Sequence, residues 1–290
     1  MNTGPSLFVL AGLFLSFGLP ASASSPVWRV EHNGAAMFIA GTIHLLADSD
    51  YPLPTAYEMA YQQATTLVFE TDIDAMFAPE TSQQMLSQAG YTDGRRLRDD
   101  LSPEVYRATE QFFAQRGVAM TQVEAYRPGM VSIIMNLVEL QRLGQAGTGV
   151  DTYLNQRAKR DSKNRGQLES VDRQIAFIAN LGVGREDELI EYTLGDLAQL
   201  PQLLQMLKAA WRDGDLDGLD RIGNDPMRDE FPDIYQNLIV DRNRDWLVKL
   251  DQMLHTDEIE LVLVGALHLA GPDGLIEHYQ RRGYRVTQLQ

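Results

Sequence analysis

The two ends of the chain carry the same short pattern, an apolar run followed by Gly-x-x-His-Leu. Near the N-terminus Met37–Ala40 precedes Gly41-Thr42-Ile43-His44-Leu45, and near the C-terminus Leu261–Val264 precedes Gly265-Ala266-Leu267-His268-Leu269. A Pro-containing loop, a helical pattern and a strand pattern follow each histidine. We interpret this as an internal repeat of two βαβ-like halves. Because two or three strands are marginally stable alone, both halves are predicted to join one sheet.

The segment between the halves has a different character. From about residue 74 to residue 251, apolar residues recur at helical spacing, which predicts a large helical section. Arg165–Glu169 is a short strand candidate within that section, and Asn33-Gly34 predicts a hairpin turn before the first Gly-x-x-His pattern. The predicted fold class is therefore α/β (mixed α+β), with a central mixed β-sheet from the two chain ends and a large helical middle section.

The N-terminal segment has the pattern of a secretory signal peptide. Leu7–Leu19 is mostly apolar but too short to span a bilayer, and Ala21-Ser22-Ala23 matches a small-x-small cleavage site. Met1–Ser6 contains no Lys or Arg, which departs from the usual signal. We expect residues 1–23 to be removed, residues 24–290 to form a single domain without a membrane span, and the protein to be periplasmic or secreted.

Composition narrows the functional classes. The formal net charge of −15 argues against nucleic acid as a partner, because phosphate binding needs a concentrated basic face. The chain has no Cys, which excludes disulfides, thiolate metal sites and a cysteine nucleophile. It also lacks the GxSxG, HExxH, P-loop and dinucleotide motifs, so serine hydrolase, zincin, ATPase and Rossmann functions have no support. We therefore expect a peptide or a small molecule as the substrate. The sequence does not indicate the oligomeric state.

The candidate catalytic and metal-binding residues occur where the predicted strands end. His44 and His268 each follow an apolar strand, Glu70 ends the strand pattern Thr66–Glu70, and Asp72 lies two residues further on the same predicted side. Strand carboxyl ends line the crevice where α/β folds bind ligands. Two imidazoles and a carboxylate there can hold a divalent metal that activates water, with Mn, Co or Zn as candidates. The alternative is that single histidines at strand ends are structural.

Several motifs together resemble the TraB/GumN family, which is related to the Tiki metalloproteases and to erythromycin esterase-like and ChaN-like proteins. The motifs are Gly41-Thr42-Ile43-His44, Tyr51-Pro52-Leu53-Pro54, Phe69-Glu70-Thr71-Asp72, Gly149-Val150-Asp151, Leu168-Glu169-Ser170-Val171, Asp241-Arg242-Asn243-Arg244-Asp245-Trp246 and Val264-Gly265-Ala266-Leu267-His268-Leu269-Ala270-Gly271. They extend from about residue 26 to the C-terminus.

The resemblance implies a site formed by His44, His268 and Glu70. It adds Arg242 and Asn243, which match the family's Arg-Asn pair and could orient substrate carbonyls or carboxylates. Glu169 is a candidate second carboxylate, or else a helix N-terminal residue favoured by the helix dipole. His32, His255 and His278 have no partner motif, and we expect them to be surface or packing residues.

Three functions follow from these residues. The leading hypothesis is an exported metal-dependent hydrolase, peptidase-like, in which His44, His268 and Glu70 hold the metal while Arg242 and Asn243 position the substrate. The second is an esterase-like hydrolase that uses His and Glu as general bases without metal. The third is a non-enzymatic binding protein for a signalling peptide, a metal or haem.

Overall fold

A computed structural model describes residues 24–290. The strands in these residues are β1 Val27–His32, β2 Ala35–Thr42, β3 Thr66–Phe69, β4 Asn164–Gln167, β5 Glu260–Gly265 and β6 Arg285–Gln288. The α-helices are α1 Thr55–Gln63, α2 Ile73–Met76, α3 Pro79–Ala89, α4 Leu97–Asp100, α5 Pro103–Ala114, α6 Pro128–Arg142, α7 Val150–Arg160, α8 Val171–Asn180, α9 Glu186–Asp213, α10 Leu216–Leu219, α11 Asp225–Glu230, α12 Pro232–Tyr235, α13 Asp241–Met253 and α14 Leu275–Arg281. The proposed signal peptide, residues 1–23, lies outside the described residues.

The strands form one mixed sheet in the order β4-β3-β5-β2-β1-β6. β5 from the C-terminal half lies between β3 and β2 from the N-terminal half and is parallel to both. β1 pairs antiparallel with β2 on one side and with β6 on the other. The predicted mixed fold, with both chain ends in one sheet, is confirmed. The two Gly-x-x-His segments, which we call the first corner (Gly41–His44) and the second corner (Gly265–His268), begin on adjacent parallel strands.

The ends of the strands follow from local sequence. Asn33 and Gly34 have φ values of 50° and 91°, the left-handed conformation that a tight hairpin turn requires. β2 and β5 are buried along almost their whole length, because helices cover both faces of the sheet. Phe38 packs on one face with Trp211 of α9, whereas Ile39 packs on the other with Trp246 of α13.

The predicted helical section contains α3 to α12 and one strand. β4, predicted one residue later as Arg165–Glu169, pairs in parallel with β3 at the edge of the sheet. Near the end of this section, α12 continues through a π-helical turn at Gln236–Val240 into α13. Helices α5, α6 and α9 have an apolar core of their own, around Phe113, Val131 and Ile190. Within residues 24–290, no helix has the length and apolarity needed to cross a bilayer.

Candidate functional site

The first corner, Gly41–His44, places an exposed histidine beside a carboxylate. His44 Nδ1 lies 2.8 Å from Asp151 Oδ2, and the His44 side chain is 63% exposed whereas that of Asp151 is 13% exposed. A carboxylate can only accept here, so Nδ1 donates and Nε2 is left for another partner. The backbone N–H of Val150 donates to the Ile43 carbonyl at 3.1 Å, which fixes the start of α7 against the corner.

Gly149 makes this contact between α7 and the first corner possible. A Cβ atom at Gly149 would lie 2.1 Å from the His44 carbonyl oxygen, far inside van der Waals contact. The two corners also touch each other, because a Cβ at Gly41 would lie 3.2 Å from Ala266. Glycine is needed at Gly149 for close approach of the two backbones, whereas a Cβ at Gly41 would make a tight contact; neither glycine has an unusual backbone angle.

The second corner, Gly265–His268, places a buried histidine between fixed partners. His268 is 4% exposed, and its Nδ1 lies 2.8 Å from Asn243 Oδ1. Its Nε2 lies 3.0 Å from Arg242 Nη1. Because a guanidinium can only donate, Nε2 accepts and the proton is on Nδ1. Asn243 Nδ2 also donates to the His268 carbonyl at 2.9 Å, so Asn243 holds both the ring and the backbone of this histidine.

An arginine cluster, formed by Arg242, Glu70, Glu169 and His268, lies at the second corner. Arg242 Nη2 donates to Glu70 at 2.5 Å and to Glu169 at 2.8 Å, and Nε donates to Glu169 at 3.1 Å. Glu169 also accepts from the Trp246 indole N–H at 3.1 Å. Arg242 occupies the first turn of α13, directly after the π-helical turn. Each carboxylate is thus matched by the same cation.

The histidines have opposite electrostatic environments. Burial, together with the neighbouring Arg242 cation, lowers the pKa of His268 to about 3. Loss of water around the ring lowers the pKa of His44, but attraction to Asp151 outweighs this, and the pKa is raised above its ordinary value of 6.5. Burial would raise the pKa of Glu70, but attraction to Arg242 dominates and lowers it to about 2. At neutral pH, His268 is therefore neutral and Glu70 is ionised.

Two cavities meet at the first corner. The larger, which we call the cleft, has a volume of about 560 Å³ and lies between α8 and the region around α12. The smaller, which we call the apolar pocket, has a volume of about 310 Å³. His44, Glu70 and Gln174 line both, and Arg242 lines the cleft. His44 therefore faces the space where a ligand can bind. His268 lines neither cavity and contacts Arg242 instead.

Most of the predicted site residues come together, but in different roles. Glu70, Glu169, Arg242, Asn243 and His268 form one continuous hydrogen-bonded network. Asp72 does not join it, because β3 ends at Phe69 and the Asp72 side chain caps α2 by accepting from the Ala75 N–H at 3.0 Å. Asn243 is occupied by His268 and the Asp273 carbonyl, and it positions the corner instead of facing substrate.

Sequence reasoning missed three residues. Asp151, the partner of His44, lies 107 residues away in the chain, within a motif quoted above without a role. Gln174 has its Nε2 3.5 Å from Glu70 and lines both cavities. Trp246 packs against His268 with ring centroids 4.4 Å apart and an angle of 44° between the ring planes. The motifs around Asp151 and Trp246 were the available signals; no motif marks Gln174.

The predicted metal ligands do not fit a metal in this arrangement. Both ring nitrogens of His268 are engaged, by Asn243 and Arg242, and the Arg242 guanidinium lies where Glu70 and His268 converge. Across residues 24–290, no group of three His, Asp or Glu side chains is arranged to hold a metal ion. A metal bound by His44, His268 and Glu70 would require Arg242 to move aside.

Comparison with known proteins assigns the chain to a family. The TraB/PrgY/gumN family profile matches residues 26–288. The proteins named Uncharacterized protein YbaP from Escherichia coli (strain K12) and Shigella flexneri are each 25% identical to this chain over 239 residues, 82% of this chain and 85% of each relative. No solved structure matches the chain. With nearly all of the described residues covered by the family profile, the chain belongs to the TraB/PrgY/gumN family.

Proposed function

We propose that this protein hydrolyses an acyl bond in peptides or small esters and that His44 is its general base. The observation that supports this most directly is the His44–Asp151 pair, with Nδ1 and Oδ2 2.8 Å apart at the junction of two cavities. An imidazole held by a carboxylate through one nitrogen presents the other to a water molecule, which is the geometry of general base catalysis.

In the proposed reaction, the neutral form of His44 takes a proton from water through Nε2. Because Asp151 raises the pKa of His44, this form becomes more abundant as the pH rises above 6.5, and turnover should rise with it. The resulting hydroxide attacks the carbonyl carbon of the substrate, and the carbonyl π electrons move to oxygen. The tetrahedral intermediate then breaks its C–N or C–O bond, and the His44 imidazolium returns the proton to the leaving group. Asp151 keeps the ring in the required tautomer and stabilises the imidazolium.

Arg242 is the candidate for stabilising the oxyanion. A guanidinium has five N–H groups; the contacts of Arg242 with described residues use Nε–H, both Nη2–H groups and one Nη1–H. The second Nη1–H has no partner among residues 24–290, and Arg242 lines the cleft. A fixed N–H group aimed at a developing oxyanion is among the largest contributions to acyl transfer.

Glu70 and His268 are weaker candidates for the base. Glu70 accepts from Arg242 at 2.5 Å and from the Gly265 N–H at 2.6 Å, and its pKa is lowered to about 2. His268 has both nitrogens engaged and a lowered pKa. Groups held in this way bind protons poorly, so we assign them to holding Arg242.

The competing proposal is the metal-dependent hydrolase, with Mn, Co or Zn held by His44, His268 and Glu70. The deciding experiment uses purified residues 24–290 with fluorogenic peptides and p-nitrophenyl esters, with EDTA or with each metal, alongside metal analysis. We expect turnover to survive EDTA and His44→Ala to lower kcat/KM by about 10²- to 10⁴-fold. His255→Ala, at an exposed residue outside both cavities, is the matched control and should retain full turnover.

Other results would point elsewhere. Bound metal whose removal abolishes turnover, and whose binding needs both His44 and His268, would support the metal-dependent proposal. Binding of peptide, metal or haem without turnover of any substrate would support the non-enzymatic alternative.

We also propose that the protein is exported. The support is the sequence of residues 1–23, with the apolar segment Leu7–Leu19 and the site Ala21-Ser22-Ala23. N-terminal sequencing of protein from its native host should begin at or near Ser24; an intact Met1 on cytosolic protein would contradict export.

A further inference from the structure

The apolar pocket opens beside His44 and is built from hydrophobic side chains. Its walls include Phe69 at the end of β3, Ile73 and Met76 of α2, Phe77, Leu137 of α6, and Leu263 of β5. Both the sheet and the helical middle section therefore contribute to it.

The position of the pocket connects it to the proposed reaction. His44, Glu70 and Gln174 line both the apolar pocket and the cleft, so the two cavities are continuous at the proposed general base. A substrate whose reacting carbonyl lies at His44 can extend in two directions. One part would occupy the cleft and the adjoining part would enter the apolar pocket.

The charges around the two cavities differ. The cleft lining contains three cations, Arg173, Arg185 and Arg242, together with the carboxylates of Glu70, Asp233 and Asp241. The lining of the apolar pocket contains no Lys or Arg; its ionisable side chains are His44, Glu70 and Asp151, at the end shared with the reacting site. An anionic group in this pocket would lose water and face two carboxylates, and the nearest cationic group, the His44 imidazole, is already paired with Asp151. The two carboxylates are already engaged by Arg242 and His44, which leaves little to attract a cationic group.

We propose that the apolar pocket is a specificity site that receives one large uncharged apolar side chain of a peptide substrate, next to the bond being hydrolysed. This inference rests on the proposed function. The volume of about 310 Å³ lies at the small end of the usual range for ligand pockets, which suits one side chain better than a whole ligand. Specificity then comes from apolar burial in the pocket and from the absence of Lys and Arg from its lining.

The test compares two blocked peptides, acetyl-Ala-Ala-Phe-Ala-Ala amide and acetyl-Ala-Ala-Asp-Ala-Ala amide. Binding is measured by calorimetry in the His44→Ala background, where the proposed turnover is strongly reduced. The Phe peptide should bind about tenfold or more tightly, because burial of an aromatic side chain contributes at least that much. In parallel, kcat/KM is measured for fluorogenic forms of both peptides with the wild-type chain.

Leu137→Trp fills the pocket and should reduce the Phe over Asp preference to about threefold or less. Leu86→Trp is the matched control, because Leu86 on α3 has a similar exposure, 48% against 47% for Leu137, and lies outside the pocket. It should keep the full preference.

The outcomes separate the two proposals. Binding preference that depends on Leu137, without turnover of any substrate, supports the pocket and contradicts the hydrolase. Turnover without a Phe preference supports the hydrolase and overturns the pocket. Equal binding of both peptides, binding of neither, or a preference that survives Leu137→Trp would each overturn the pocket as well.

Discussion

The two Gly-x-x-His corners differ most in how their histidines meet solvent and charge. The His44 side chain is 63% exposed and has an anionic partner, Asp151. His268 is 4% exposed and lies between the amide of Asn243 and the cation of Arg242. The corners begin on adjacent parallel strands and share the same sequence pattern, so neither feature explains the difference in charge; the backbones differ in that Ala266–Leu269 forms a 3-10 helical turn.

The difference comes from the elements that pack on each corner. α7 brings a carboxylate to the first corner, which favours the charged imidazole. α13 brings an arginine and an asparagine to the second corner, which favour the neutral imidazole. A repeated motif can thus supply one histidine that faces the ligand and another that positions neighbouring side chains. The following predictions test this division of roles, from the largest expected effect to the smallest.

Replacing Arg242 should have the largest effect on stability. Arg242→Met would leave Glu70 and Glu169 buried without their shared cation, which typically costs about 3–5 kcal/mol of unfolding free energy. Urea unfolding of residues 24–290 measures this change. Arg244→Met is the control, because Arg244 is 66% exposed and pairs with Asp241 at the surface, where such pairs contribute about 0–1 kcal/mol. Equal losses for both variants would contradict the role of the cluster in holding the second corner.

At the first corner, Gly149→Ala should move His44 and Asp151 apart. Its new Cβ would meet the His44 carbonyl oxygen at 2.1 Å, and relief of such overlap costs about 1–3 kcal/mol. Turnover should fall by about 10²-fold, since small displacements of reacting groups are costly. Gly195→Ala provides the comparison: no atom lies within 4 Å of its added Cβ, and α9 should gain about 0.5–1 kcal/mol. Equal changes in unfolding free energy and in turnover for the two variants would contradict this packing argument.

These contacts also show what sequence could and could not predict. The pairing of distant strands was predictable, because each half of the chain supplies only two or three strands, which are marginally stable alone. The Arg242 and Asn243 roles came from the family motif, not from spacing. The Asp151 partnership was not predictable from local pattern, since it depends on where α7 docks after 107 residues of intervening chain. Asp72 was placed wrongly, because the alternation of a strand was extended past Phe69 into a helix cap.

The second corner should make stability fall on mild acidification. The pKa of His268 is about 3 in the folded chain and 6.5 as an ordinary value, so the unfolded chain binds the extra proton between these values. The free energy of unfolding should therefore fall as pH drops below 6.5, with a slope approaching about 1.4 kcal/mol per pH unit from this residue. Between pH 6.5 and 5, Glu70 adds little, since its ordinary value is 4.5.

Urea unfolding at pH 7, 6 and 5 checks this slope, which should flatten in His268→Gln. His278→Gln should change it less, because His278 also has a pKa lowered by burial but is only partly covered. If the wild-type slope is retained in His268→Gln, the buried neutral state assigned to the second corner is wrong.

The smallest effect should be a change in the pKa of His44, measured by NMR titration of its ring protons. Attraction to Asp151 raises this pKa above 6.5, so Asp151→Asn should lower it. The change should be less than one pH unit, because exposed ion pairs contribute about 0.2–1 kcal/mol and one unit corresponds to about 1.4 kcal/mol. Asp161→Asn, which removes the same charge just beyond the far end of α7, should leave the His44 pKa unchanged. A wild-type value at or below 6.5, or the same shift from both variants, would mean that Asp151 does not set the charge of His44. The first corner would then lose the feature that distinguishes it from the second.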